Sequence, residues 1–138
     1  MTAAELLAWQ IDDSGFQIEK ALEGLAPDER DCRIHEGAMS PNEVVAHLCE
    51  CYVACAAHVG GGKHEWGSFK FGDESWEERL ARWGDLRAKA KTAALAGDEE
   101  ALQSGYLYIV GHDVYHVGQL CQLRLHLDPD WPFMSIYR

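Results

Sequence analysis

Apolar residues recur at helical spacing in four stretches of the chain. The first stretch shows this most clearly, because its apolar positions from Leu7 to Leu25 follow one another at steps of three and four residues until Pro27 ends the pattern. No alternating run is long enough, or rich enough in β-branched residues, to indicate a strand. The pattern predicts an all-α protein.

Capping and turn residues set the predicted limits of the other three helices. Residues Ser40 to Glu43 form a capping box with proline at the first helical position, and they open a helix that should run to the glycines 60–62. A third helix is predicted from Ser75 to about Gly97, and a fourth from Asp98 to about Leu127. A chain of 138 residues has the size of one domain, so we expect a single four-helix bundle over residues 1–138.

The connection between the second and third helices, residues 59–74, is longer than neighbouring helices of a bundle normally need. It combines glycines with Trp66, Phe69 and Phe71, and a flexible spacer would not require three aromatic side chains. We therefore expect a folded crossover loop after helix 2, long enough to cross the end of the bundle and roof a pocket.

Composition and charge narrow the classes of function. The formal net charge of −11 repels phosphate backbones and anionic lipids, so it argues against nucleic-acid and membrane partners. The five cysteines are an odd number without the spacing of a disulfide framework, which predicts reduced thiols. Neither a signal peptide nor a run of eighteen apolar residues is evident, and we expect a cytoplasmic protein.

Three histidines stand at positions that suit a shared metal ion. His112 and His116 are four residues apart, so their imidazoles lie on one side of the fourth helix. His47 lies about two turns into the second helix, deep enough to meet that pair from a facing helix. Three neutral imidazoles would leave at least one coordination position open, as in catalytic sites. The alternative is that the histidines occupy polar core positions without a metal.

Other side chains near the histidines suggest supporting roles. Glu50 and Gln119 are the candidate catalytic residues: Glu50 would accept a histidine N–H or shuttle a proton, and Gln119 would orient an imidazole or bind a ligand. Cys51 and Cys55 lie on or near the face that carries the second-helix histidine. They are either soft ligands that close a zinc site or small buried apolar residues. The carboxylates do not form two Glu-x-x-His motifs, so a di-iron bundle is the weaker hypothesis.

The fourth helix carries apolar residues on two opposite sides, with Val110, Val114 and Val117 facing away from the histidines. A helix of this kind does not fit at the edge of a monomer with one side in water, so either its own bundle encloses it or a second subunit covers one side. If the histidines point inward, the valine side is left for a second copy, and we expect a homodimer. Gly111 and Gly118 in the same helix would allow another backbone to approach closely.

The order of these residues resembles a known family. His47 in the second helix, followed by His112-x-x-x-His116-x-Gly118-Gln119 in the fourth, is similar to the motifs of the DinB/YfiT-like metal-binding four-helix proteins. The resemblance implies an up-and-down bundle with a long crossover after helix 2, and one divalent ion, often zinc or nickel, held by the three histidines. Members with assigned activities include transferases and isomerases that use the low-molecular-weight thiols bacillithiol or mycothiol.

The chemistry of a three-histidine metal centre indicates which function the protein could have. Water bound to zinc can have a pKa of about 7, and a coordinated thiol loses its proton. We therefore expect a metal-dependent enzyme that activates a low-molecular-weight thiol or water, as a thiol S-transferase or a hydrolase, against a small-molecule substrate. The alternative is a non-catalytic stress-response protein that binds a metal or ligand. An open coordination position beside a pocket favours the enzyme, and a closed shell that includes Cys51 or Glu50 favours the alternative.

Overall fold

Four long helical runs account for most of the chain, and all 138 residues are described by the computed structural model. In chain order the helices are α1 (Ala3–Leu22), α2 (Pro41–Val59), α3 (Trp76–Ala96), α4 (Glu99–Gly105) and α5 (Gly111–Leu127). A π-helical turn, Tyr106–Val110, joins α4 to α5 in one continuous run. Short 3-10 turns lie at Pro27–Glu29 and Phe133–Ile136, and no strand is present. The predicted all-α helical bundle is confirmed.

The helix ends follow the capping residues. The Ser40 hydroxyl accepts a hydrogen bond from the Glu43 backbone N–H at 3.2 Å, and the Glu43 carboxylate accepts one from the Ser40 N–H, which is the predicted capping box. Ser75 accepts from the backbone at the start of α3, and Asp98 does the same for α4. Only α1 departs from its predicted limit, because it ends at Leu22, about one turn before the apolar pattern does.

The bundle pairs α2 with α3 and α1 with α5 across a core of aliphatic and aromatic side chains. Ile11 of α1, Leu48 and Tyr52 of α2 and Leu120 of α5 have at most 2% of their surface exposed. Burial of large side chains such as these contributes about 1.5–3 kcal/mol each relative to exposure. The arrangement places α2 and α5 side by side near the predicted histidines.

A polar network crosses the centre of this core. The Asp113 carboxylate on α5 is fully buried and accepts hydrogen bonds from Ser14 Oγ at 2.7 Å, from Arg87 Nη2 at 2.6 Å and from the Tyr52 hydroxyl. The Tyr52 hydroxyl in turn accepts from Trp83 Nε1 at 3.1 Å. Burial acts to lower the pKa of Arg87, but Asp113 and Tyr52 outweigh it and hold that pKa above its ordinary value. One carboxylate thereby connects α1, α2, α3 and α5.

The crossover loop between α2 and α3 is folded, as predicted. Phe69 and Phe71 pack against the core, and the rings lie under cationic side chains: Arg82 is 4.8 Å from the Phe69 ring centroid and Arg79 is 4.9 Å from that of Phe71. Arg79 also donates to the backbone carbonyl of Gly72 at 3.1 Å. These contacts fix the loop over the start of α3.

Gly118 of α5 makes no close backbone contact within this chain, and its approach by a second copy stays a prediction. A Cβ atom added at Gly118 would meet nothing within 4 Å, so no other backbone approaches there. The close contact occurs instead at Gly105, where an added Cβ would lie 2.8 Å from the Ala94 Cβ and 3.0 Å from Leu7 Cδ2. On the valine side of α5, Val114 is 53% exposed. No helix of the chain combines the length and apolar character needed to cross a membrane.

Candidate metal centre

The structure brings together the three histidines that the sequence placed on two distant helices. The ring centroid of His47 on α2 lies 5.7 Å from that of His112 and 5.0 Å from that of His116 on α5. His116 has only 3% of its surface exposed, whereas His47 and His112 are half-buried. The α2–α5 contact thus gathers three imidazoles at one point, as the helical spacing predicted.

The cluster of side chains that could share a metal ion differs in one member from the predicted histidine set. One ligand atom each from His47, Cys51 and His112 lie within 4.8 Å of one another. Cys51 Sγ is 3.6 Å from His47 Nε2. His116 is not part of this set, although its ring is the nearer of the two α5 rings to His47.

Both α5 imidazoles are oriented by hydrogen bonds through Nδ1. His112 Nδ1 lies 2.7 Å from the backbone carbonyl oxygen of Leu107, and His116 Nδ1 lies 2.7 Å from Gln119 Oε1. Because a carbonyl oxygen only accepts, Nδ1 carries the proton in both rings and Nε2 keeps its lone pair for a ligand. Gln119 therefore orients an imidazole, which is one of the two roles that its position suggested.

The π-helical turn explains why the His112 imidazole can hydrogen-bond to a backbone carbonyl of its own helix. In that turn the Gly111 N–H donates to the carbonyl of Tyr106, five residues earlier, instead of to that of Leu107. The Leu107 carbonyl is thereby available to the His112 imidazole. Single π turns of this kind occur often at functional sites. No local sequence signal distinguishes these residues from an ordinary α-helical turn.

Two of the three histidines, His47 and His116, are held in the neutral form that binds metals. Burial, aided by the neighbouring His112, lowers the pKa of His47 below its ordinary value. Burial also lowers the pKa of His116 to about 4. The Cys51 thiol is the opposite case, since burial and the nearby Asp113 carboxylate raise its pKa to about 12. A free Cys51 is therefore a thiol at neutral pH, and a cation is needed to make it a thiolate.

Glu50 lies on the same helix but its carboxylate points to the crossover loop. Its Oε1 atom is 3.1 Å from His64 Nε2 and accepts a hydrogen bond from the Gly67 backbone N–H. Burial acts to raise the pKa of Glu50, but these hydrogen bonds outweigh it and leave the pKa below the ordinary value. Glu50 thus anchors the loop, and its role in proton transfer stays a prediction.

A cavity of about 490 Å³ opens onto the histidines. All three imidazoles form part of its wall, together with Tyr115 and Gln119. The rest of its wall comes from Leu107, Gly111 and the α1–α2 connection, residues 37–39. The crossover loop between α2 and α3, which we expected to roof a pocket, contributes no residue to it. The crossover loop approaches only indirectly, through Trp66, which stacks on Tyr108, whose ring is stacked on that of His112.

The donor atoms fit a late first-row transition-metal ion. Imidazole nitrogen and thiol sulfur are the ligands that zinc prefers, and they also suit nickel, cobalt and copper. The set contains no carboxylate, so it does not fit magnesium or calcium, which take oxygen ligands. It also lacks the glutamates of a di-iron centre.

No family model, curated protein or solved structure matches this chain. The chemistry of the centre is therefore inferred from its side chains.

Proposed function

We propose that the protein binds one divalent ion, zinc or nickel, through His47, His112 and His116, and that it uses this ion to activate a thiol or water against a small-molecule substrate. The observation that carries the proposal is the cavity of about 490 Å³, whose wall contains all three imidazoles. A molecule in that cavity lies beside the donor nitrogens. A structural metal site, by contrast, is normally closed to ligands from outside.

The chain supplies orientation around the ion. When bound, a divalent ion would acidify a coordinated water or thiol and provide a nucleophile at neutral pH. The Leu107 carbonyl and the Gln119 amide fix the tautomers of their histidines, and partners of this kind tune ligand basicity. Gln119 uses its oxygen for His116, so its amide N–H groups are free to donate to a substrate in the cavity. Tyr115, which is 65% exposed, adds a hydroxyl to the same wall.

Membership of the DinB/YfiT-like family is part of the same proposal. Its support is that two adjoining helices bring together the residues that carry the resemblance, His47 and His112-x-x-x-His116-x-Gly118-Gln119. Gln119 also accepts a hydrogen bond from the last of these histidines. A low-molecular-weight thiol is then the preferred co-substrate, which makes a thiol S-transferase the leading activity and a hydrolase the next.

A second candidate function is metal or ligand binding without turnover, in a stress response. The position of Cys51 in the donor set favours it, because a thiolate added to the histidines completes a four-ligand shell. Turnover separates the two candidates.

The test compares metal-loaded and metal-free protein in two assays. One follows conjugation of glutathione to 1-chloro-2,4-dinitrobenzene, and the other follows hydrolysis of 4-nitrophenyl acetate. We expect metal-dependent turnover in at least one assay, and its loss in His112→Ala. His58→Ala is the control, because His58 is an exposed histidine of α2 outside the centre. Equal rates for metal-loaded wild type and His112→Ala would reject the enzymatic proposal.

The homodimer predicted from α5 also remains a proposal. A groove of about 610 Å³ runs along the valine side of α5, and it is lined by Val114, by Trp9 of α1 and by Phe133 of the C-terminal turn, each more than half exposed. A second copy placed there would bury these side chains. Light scattering should give twice the chain mass, and Val114→Glu should reduce it to the monomer. A monomeric wild type at micromolar concentration would reject the dimer.

A further inference from the structure

Cys51 and His47 form a pair on α2 that mirrors the pair on α5. They are four residues apart, as His112 and His116 are, so each helix presents two possible ligands from adjacent turns toward the other helix. Two facing pairs of this kind offer four possible donors to one ion, and His47, Cys51 and His112 already place one ligand atom each within 4.8 Å of one another. We propose that Cys51 is a fourth protein ligand of the metal centre, on its buried side. This inference depends on the proposed metal centre.

The separation of the two donors on α2 agrees with a shared ion. Zinc–sulfur and zinc–nitrogen bonds of about 2.3 and 2.0 Å, at a tetrahedral angle, put the two ligand atoms about 3.5 Å apart. The observed distance from Cys51 Sγ to His47 Nε2 is 3.6 Å. The α2 donors therefore already have the spacing that one ion requires.

The neighbouring cysteines show that burial alone does not explain this contact. Cys49 and Cys55 are on the same helix and are as fully buried as Cys51, with 0% of their surface exposed. Neither belongs to the cluster of possible metal ligands, whereas Cys51 does. Cys51 is thus set apart by its position toward the imidazoles.

The location of Cys51 also decides what the cavity can do. Cys51 does not contribute to the cavity wall, which contains all three histidines. A thiolate from the buried side would complete a four-ligand shell, so turnover would then require an incoming ligand to bind from the cavity side as a fifth ligand, a coordination number that zinc sites sometimes reach in catalysis. A soft thiolate would also favour zinc, cobalt and copper over manganese and magnesium.

Cobalt(II) is the probe that tests this ligand. A thiolate bound to cobalt gives an intense charge-transfer band in the near ultraviolet, whereas imidazoles give only weaker visible bands. Metal-free wild type titrated with cobalt(II) should develop the ultraviolet band. Cys51→Ala should lose the ultraviolet band and keep the visible bands. It should also bind cobalt at least about tenfold more weakly, because loss of a residue that only supports a ligand already costs about that much affinity. Cys55→Ala should match the wild type.

Two results would overturn the inference: an ultraviolet band that persists in Cys51→Ala, or cobalt bound to wild type without that band. Cys51→Ser, which keeps the size of the side chain, repeats the test if the alanine variant does not fold. Equilibrium dialysis that finds no cobalt on the wild type would reject the metal centre itself, and this outcome is distinct from the other two.

Discussion

Replacing Asp113 with asparagine should expose how much the bundle depends on its buried charges. The carboxylate is the only anion that Arg87 contacts, at 2.6 Å, and it also accepts from Ser14 and Tyr52. Arg87 is only 8% exposed, so little water reaches the guanidinium in place of the missing partner. An uncompensated buried charge of this kind costs about 3–5 kcal/mol. The expected loss is a large part of the roughly 5–15 kcal/mol by which a domain is stable.

The assay is urea unfolding followed by circular dichroism, with a matched surface pair as the control. Asp12 forms an ion pair with Lys91 but its side chain is 58% exposed, so Asp12→Asn should change the free energy of unfolding by less than about 1 kcal/mol. Adding Arg87→Met to Asp113→Asn removes the stranded charge and should recover part of the loss. The reasoning is refuted if Asp113→Asn stays within about 1 kcal/mol of wild type, or if the double variant is no more stable than the single one.

Three further predictions follow from other contacts. Gly15→Ala should destabilise the protein by about 1–3 kcal/mol, because the new Cβ would lie 2.7 Å from the buried guanidinium of Arg87. Gly84→Ala is the control: Gly84 is on a helix with open space around it, so this change should stabilise the protein by about 0.5–1 kcal/mol. Urea unfolding measures both changes. The pKa of Glu50 is lowered in the folded state, so its contribution to the free energy of unfolding is fully present above pH 4.5 and is lost as the pH falls through the folded pKa. Glu50→Gln should therefore lose less stability than wild type between pH 6 and 3. Parallel curves of unfolding free energy against pH for the two proteins would contradict this. Gln119→Ala should weaken zinc binding by about 10–100-fold in calorimetric titration, because His116 loses the partner that orients it, and unchanged affinity would remove that role.

Local sequence patterns predicted those parts of the fold that depend on neighbouring residues. The capping box at Ser40 and the cap at Asp98 formed as predicted, because each involves groups within four residues of one another. Helical spacing likewise placed His112 and His116 on one side of α5. The length of α1 was overestimated, because apolar positions continue past Leu22 in a turn that packs on the core without being helical.

Long-range contacts decided what the sequence could not. Helical spacing does not reveal the role of Asp113, because its partners come from distant positions of the chain, Ser14 and Arg87 among them. Spacing also put Glu50 one turn from His47, whereas the crossover loop binds its carboxylate. The sequence left open whether Cys51 is a metal ligand or a small buried apolar residue. The choice depends on which residues face Cys51 from the neighbouring helix.

We propose that imidazoles from α2 and α5 hold one ion. Metal content per chain, measured by mass spectrometry on protein purified without added metal and then on protein reloaded with zinc, tests it most directly. We predict about one ion per wild-type chain and per His58→Ala chain, and a large loss in His47→Ala, His112→Ala and His116→Ala that still show the helical circular dichroism of wild type. Equal metal content in all five proteins would contradict the claim.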